Sequence, residues 1–95
     1  MREWLWSLDT AARKRIGHDI LRVQWQWPVS RPLVGSFGKG LYEVRTSVGA
    51  REFRVFFCVT GGFIVLLHGL QKKTRATLAS DVALARRRMT EENDA

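Results

Sequence analysis

Sulfur chemistry is nearly missing from this chain: it has one cysteine, Cys58, and two methionines. A lone cysteine excludes a disulfide within the chain and any cysteine-rich zinc site. Cys58 stands in the apolar run Phe56-Phe57-Cys58-Val59 and reads as a small buried hydrophobe. Histidine is as scarce. His18 and His68 alone cannot build a metal centre, so neither a metal nor a cofactor is expected. The phosphate-cradling glycine loop, the dinucleotide fingerprint and the helical zinc-protease motif are all missing, and no Ser-His-Asp arrangement suggests itself. No long hydrophobic run exists either. The longest, Phe63 to Leu67, falls far short of the roughly 20 residues that cross a bilayer. Met1-Arg2-Glu3-Trp4 lacks the apolar run of a signal peptide. A cytoplasmic protein with no membrane partner is the expectation. There is no internal repeat and no low-complexity segment.

Acidic residues are in deficit, 9 against 16 Lys and Arg, which leaves a net charge of +7 and a pI near 10.8. A field of that sign attracts polyanions and speeds association with them. RNA, DNA, anionic lipid and an acidic protein all remain open, with nucleic acid favoured. The 95 residues suffice for one domain spanning 1–95 and are too few for two. Four Trp and five Phe give the chain more large apolar surface than its length suggests, and part of it is expected at an interface rather than in the core.

Along the chain, Trp4 and Trp6 alternate with Glu3 and Leu5, which predicts a short first strand over 2–6. Leu8, Ala12, Ile16, Ile20, Val23 and Trp27 recur every four or three residues and share one face of a helix over 8–27. Ser7 and Asp9 are candidate caps. Lys14, His18 and Arg22 form a second, basic stripe, either a solvated face or a track for a phosphate backbone. Gly17 in mid-helix suggests close packing. Residues 28–40, with Pro28, Pro32, Gly35, Gly38 and Gly40, read as the main loop. From Leu41 the period becomes two. Strands are expected over 41–48, 51–60 and 63–71, with a turn at Gly49-Ala50 and a hairpin at Gly61-Gly62. Leu78, Val82, Ala85 and Met89 mark a last helix over about 77–90, with Thr77 as cap, Asp81 in its first turn and Arg86-Arg87-Arg88 in its last. The tail 91–95 is expected to fray. The class is α+β: an antiparallel sheet, made of a three-stranded meander and a short N-terminal strand, packed with an N-terminal and a C-terminal helix.

Any chemistry must come from basic residues on this sheet. Alternation puts Glu43 and Arg45 on one face, where Arg45 is expected to form a plain ion pair with Glu43 or with the cross-strand Glu52. Arg54 shares a face with Phe56 and Cys58. His68 lies among Leu66, Leu70 and Lys72, either as a hydrogen-bonded core residue or as a working group. Lys39, Arg45, Arg54, Lys72 and Lys73 are expected to converge at the sheet ends. Such a cluster suits RNA cleavage by internal 2′-OH attack. That reaction needs a base for the 2′ proton, cations for the pentacoordinate phosphate and an acid for the leaving 5′ oxygen. Arginine fits the phosphate because its fork meets two oxygens at once.

Three stretches in order, Lys39-Gly40-Leu41-Tyr42-Glu43-Val44-Arg45, Phe53-Arg54-Val55-Phe56-Phe57 and Ile64-Val65-Leu66-Leu67-His68-Gly69-Leu70-Gln71-Lys72-Lys73-Thr74, resemble the RelE/ParE toxin superfamily, in particular its phage-derived HigB-like branch. The resemblance covers about residues 30–90. It implies the toxin of a type II toxin–antitoxin pair with a compact sheet-and-helix fold. It implies a cognate antitoxin, in this branch usually a helix-turn-helix DNA-binding protein, and allows a heterotetramer with it. RelE- and HigB-like members cut mRNA on the translating ribosome without metal, whereas ParE-like members inhibit DNA gyrase and cleave nothing. An inactive basic RNA-binding module is a third reading. Carried over by position, Arg54, Lys72, Lys73 and His68 are the candidate catalytic residues. Arg45 is an RNA-binding candidate on the same ground, and Lys39, Lys14 and Arg22 join it on charge. The chain departs from the family pattern in three places. The reactive tyrosine near the C-terminus is missing, and Tyr42 stands in a strand. Leu70 replaces a common Phe, and no proline follows Lys72-Lys73-Thr74.

Overall fold

A computed structural model describes residues 2–29, 31–73 and 79–94. The chain runs α1 (Arg2–Ser7), α2 (Thr10–Gln26), β1 (Val34–Gly38), β2 (Leu41–Val48), β3 (Arg51–Thr60), β4 (Phe63–Lys72) and α3 (Ala79–Asp94). The four strands form one antiparallel sheet in the order β1-β2-β3-β4, each neighbour reached by a hairpin. Gly61 and Gly62 both hold positive φ, +58° and +82°, which is what the tight β3–β4 turn demands.

Alternation along β2 and β3 gives the sheet two apolar faces. Val44, Phe53, Val55 and Phe57 point one way and bury Ala12, Ile16 and Val23 of α2, with Trp4, Leu5 and Leu8 packed beside them. Leu41, Phe56, Cys58 and Leu67 point the other way against Ala85 of α3. Cys58 is thus the buried hydrophobe its surroundings predict. Trp27 closes the first core edge-on to Tyr42 and Phe57, with ring centroids 4.9 and 5.5 Å apart.

Four expectations need correction. Residues 2–6 are helical. Trp4, Leu5 and Leu8 all reach the α2-side core, a spacing of one and four that a strand cannot present to one surface. The strand expected there lies instead inside the 28–40 segment, as β1, whose Val-Gly-Ser-Phe-Gly sequence hides it behind two glycines. Gly17 is exposed, and an added Cβ would meet no atom within 4 Å, so no close packing explains it. The last helix continues through 91–94, which places Arg86–Arg88 in its middle. Arg86 donates to Phe37 O at 2.8 Å, and Arg88 to Leu67 O at 2.8 Å. Leu67 is the extra residue of a bulge, since Phe56 pairs with His68 and Phe57 with Leu66. Thr77, the expected cap, lies outside the described residues.

Asp9 occupies the N-cap position of α2 but makes no capping bond. Its carboxylate instead accepts both arms of Arg51, at 2.7 and 3.1 Å, tying the start of α2 to the start of β3. No helix of the described residues is long and apolar enough to cross a membrane.

Candidate nucleic-acid interface

β1 is shorter than the strand it pairs with. Its register on β2 ends at Val44, and beyond that Leu33 O accepts the Arg45 N–H at 2.8 Å. From Arg45 to Val48 the edge of β2 is otherwise bare of strand among the described residues. A cleft of about 360 Å³ opens there, and four arginines line it: Arg15 and Arg22 from α2, Arg45 and Arg54 from the sheet.

Arg45 and Arg54 are cross-strand partners. Like charges set opposite each other repel. Glu43, on the same face and only 3% exposed, offsets this. Its Oε1 accepts from Arg45 Nε at 3.0 Å and lies 3.8 Å from Arg54 Nε. Arg54 Nη1 also donates to Phe53 O at 3.0 Å and to Glu52 Oε2 at 3.2 Å. The two arginines are unequal: the Arg54 side chain is 10% exposed and that of Arg45 36%. Two buried atoms here, Glu43 Oε2 and Arg54 Nε, have no hydrogen-bond partner among the described residues. Gly35 of β1 makes the arrangement possible. A Cβ at that position would stand 2.9 Å from Arg45 Nη2, so the guanidinium lies directly on bare glycine backbone.

The other wall is built on Asp19, whose side chain is 3% exposed. Its Oδ2 accepts from the buried Thr46 hydroxyl at 2.9 Å. Arg15 Nε, His18 Nδ1 and Arg22 Nη1 stand 3.7, 3.7 and 3.9 Å from the carboxylate, and Oδ1 receives no hydrogen bond.

Glu52 bridges the sheet site outward. The Ser47 hydroxyl donates to it at 2.6 Å and, with Arg54 and the cross-strand Lys72 helping, holds its carboxyl below the usual range. The Arg51 fork does the same for Asp9. Both groups release protons more readily folded than unfolded. Their stabilisation is therefore complete above the ordinary carboxylate range, about pH 4, and is lost as pH falls through the lower folded-state values. Thermal melts taken from about pH 6 down to pH 3 are expected to show a falling midpoint. The Asp9→Asn, Glu52→Gln double variant should fall less steeply over that limb, and an equal slope would contradict the assignment.

His68 stands on the α3 face of the sheet, stacked on Phe56 at 5.9 Å, with Nε2 2.9 Å from Asp81 Oδ1 of α3. It is both half-buried and hydrogen-bonded, and Phe56 and Leu70 belong to the apolar cluster on its side of the sheet, but Leu66, expected to share its face, is turned to the α2-side core by the bulge at Leu67.

The structure gathers Arg22, Arg45 and Arg54 at one cleft and places Lys72 next to it, opposite Glu52. Lys73 follows β4, exposed. Lys39 does not join the expected convergence. It sits in the β1–β2 hairpin, before Leu41, which is about 13 Å of strand from Arg45. Lys14 is exposed on α2 and is not among the residues lining the cleft. Arg15 and Asp19 did not stand out in the sequence. Their signal was the spacing Arg15-Asp19-Arg22, four then three residues, on the flank of the apolar face of α2. Among the described residues no group of three or more His, Cys, Asp or Glu side chains could hold a metal ion.

Residues 3–90 match the family model of phage-derived Gp49-like proteins (DUF891). No curated protein and no solved structure matches the chain.

Proposed function

The chain belongs to the phage-derived Gp49-like family, a RelE-like toxin family, and from that premise we propose that it is a toxin that cuts mRNA on the translating ribosome. The observation that supports this most is the pair Arg45 and Arg54, side by side at an open sheet edge over a buried Glu43. Their forks hold the oxygens of one phosphodiester. The 2′-hydroxyl loses its proton and its oxygen attacks phosphorus. The P–O5′ bond then breaks, and the 5′ oxygen takes up a proton, leaving a 2′,3′-cyclic phosphate. Lys72 and Lys73 stabilise the charge on the pentacoordinate phosphate. His68, oriented by Asp81, carries the proton. The toxin works in the cytoplasm and is silenced by a cognate antitoxin, a helix-turn-helix protein that assembles with it as a heterotetramer. Trp25, 81% exposed on α2, belongs to the surface that the antitoxin covers.

The test is induction of the chain alone in growing bacteria, with mRNA 5′ ends mapped soon after arrest. Cuts inside translated frames are expected. Arg54→Ala should reduce them by about 10²- to 10³-fold, the usual loss of one charge-stabilising donor, with the melting temperature of the purified variant followed in parallel. Arrest with intact mRNA would favour a gyrase inhibitor of the ParE kind, and no arrest would leave a basic binding module.

A further inference from the structure

The nuclease reading uses Arg45 and Arg54 but gives no work to the facing wall of the same cleft. Arg15 and Arg22 are drawn toward Asp19 by charge alone. Their contacts, 3.7 and 3.9 Å, are too long for hydrogen bonds, so no donor of either guanidinium is spent on a described residue. Asp19 is fixed by Thr46 and buried, so it holds the two arginines in place without satisfying them. Both remain about half exposed at the cleft mouth. The cleft volume, about 360 Å³, lies at the low end of the range for small-ligand pockets, roughly 300 to 1,000 Å³, and suits a single nucleotide unit rather than a helix of RNA. Its lining charges are Arg15, Arg22, Arg45 and Arg54 against Asp19 and Glu52, four positive and two negative, which leaves it cationic.

The geometry points to a second phosphodiester seat, formed by Arg15 and Arg22 across the cleft from Arg45 and Arg54, so that single-stranded RNA passes round the bare edge of β2 with neighbouring phosphates held on opposite walls. Asp19 is the positioning residue of this seat. The inference rests on the nuclease reading for its ligand.

The experiment measures binding of a short 2′-O-methyl RNA, which cannot be cut by its own 2′-hydroxyl, to the purified full chain over a range of salt. Each phosphate contact in a single strand contributes a slope of about −0.7 in log affinity against log salt. Arg15→Ala and Arg22→Ala should each make the slope shallower by about that amount. Arg15→Lys should restore the slope, because the charge returns. Arg13→Ala, on the same helix but turned toward Trp6, should keep the wild-type slope. Melts of each variant keep misfolding separate from lost contact. Wild-type slopes in both alanine variants would overturn the second seat. The two readings fail separately. A slope that falls as stated, in a chain that cuts no mRNA, keeps the seat and removes the nuclease. Cut mRNA with unchanged slopes keeps the nuclease and removes the seat.

Discussion

Gly69→Ala is expected to lower the melting temperature by about 4 to 24 °C, although it adds one methyl group. A Cβ at Gly69 would fall closer than 3.0 Å to three atoms of the Trp4 ring. That ring lies against Gly69 of β4 and meets Phe53 edge-on at 6.4 Å. Neither side can give. Gly69 is paired to Val55 in mid-sheet, and an indole has no flexible end to swing aside. The ring must leave, and with it α1, whose six residues are too few to persist as a free helix. Overpacking of this kind costs about 1 to 3 kcal/mol, and each kcal/mol shifts the midpoint of a domain this size by about 4 to 8 °C. The double variant Trp4→Ala, Gly69→Ala should be no less stable than Trp4→Ala alone, because the clash has gone. Additive losses in that cycle would show that Gly69 matters for some reason other than Trp4.

Gly35→Ala should weigh on the reaction as well as on the fold: a lowered melting temperature in a chain that still folds, with a cleavage rate reduced by about a hundredfold. The atoms that its Cβ would crowd are Arg45 Nη2 at 2.9 Å, Arg45 Cζ at 3.3 Å and Glu43 Oε1 at 3.3 Å. The arginine is the far end of a flexible chain and is partly exposed, so it can swing outward while the sheet stays paired, at the cost of leaving the buried Glu43 with Arg54 alone. Moving it breaks the Arg45–Glu43 pair and takes one of the two proposed phosphate-holding forks out of register with Arg54. A displacement of about 1 Å in a positioning group is enough for a loss of that order. The measurement is the rate of mRNA cutting beside a thermal melt. Full cutting by a well-folded Gly35→Ala chain would remove Arg45 from the reaction.

These two glycines also mark where the sequence could be read and where it could not. The apolar face of α2 and the strands β2, β3 and β4 follow from periodicity, and the double-glycine turn follows from backbone sterics. Those are local signals. α1 reads as a strand because five residues with alternating Trp fit a strand as well as a helix, and only the position of the core decides between them. β1 was hidden because it is held by pairing to β2 and contains two glycines of low strand propensity. In the candidate site, the alternation of Glu43 with Arg45 was legible, and so was the basic character of Arg54. The wall of Arg15 and Asp19 was not, since Asp19 acquires its meaning from Thr46, twenty-seven residues away in sequence. The α3 arginines read as helix-end charges because the apolar period ends at Met89, whereas the helix runs on to Asp94.

The shortness of β1 has a consequence for solubility. A strand edge without a neighbour offers its amides and carbonyls to any other chain, and proteins commonly guard such edges with charge. Here the stretch of β2 beyond the Arg45–Leu33 hydrogen bond, Thr46 to Val48, is flanked by Arg15, Arg22 and Arg45. A second copy of the molecule that approached to extend the sheet would bring the same arginines against them, at a net charge of +7 on each chain. A polyanion meets no such repulsion. The cationic rim is therefore expected to filter what lies along that edge, turning away another sheet while leaving the groove open to the proposed backbone of phosphates.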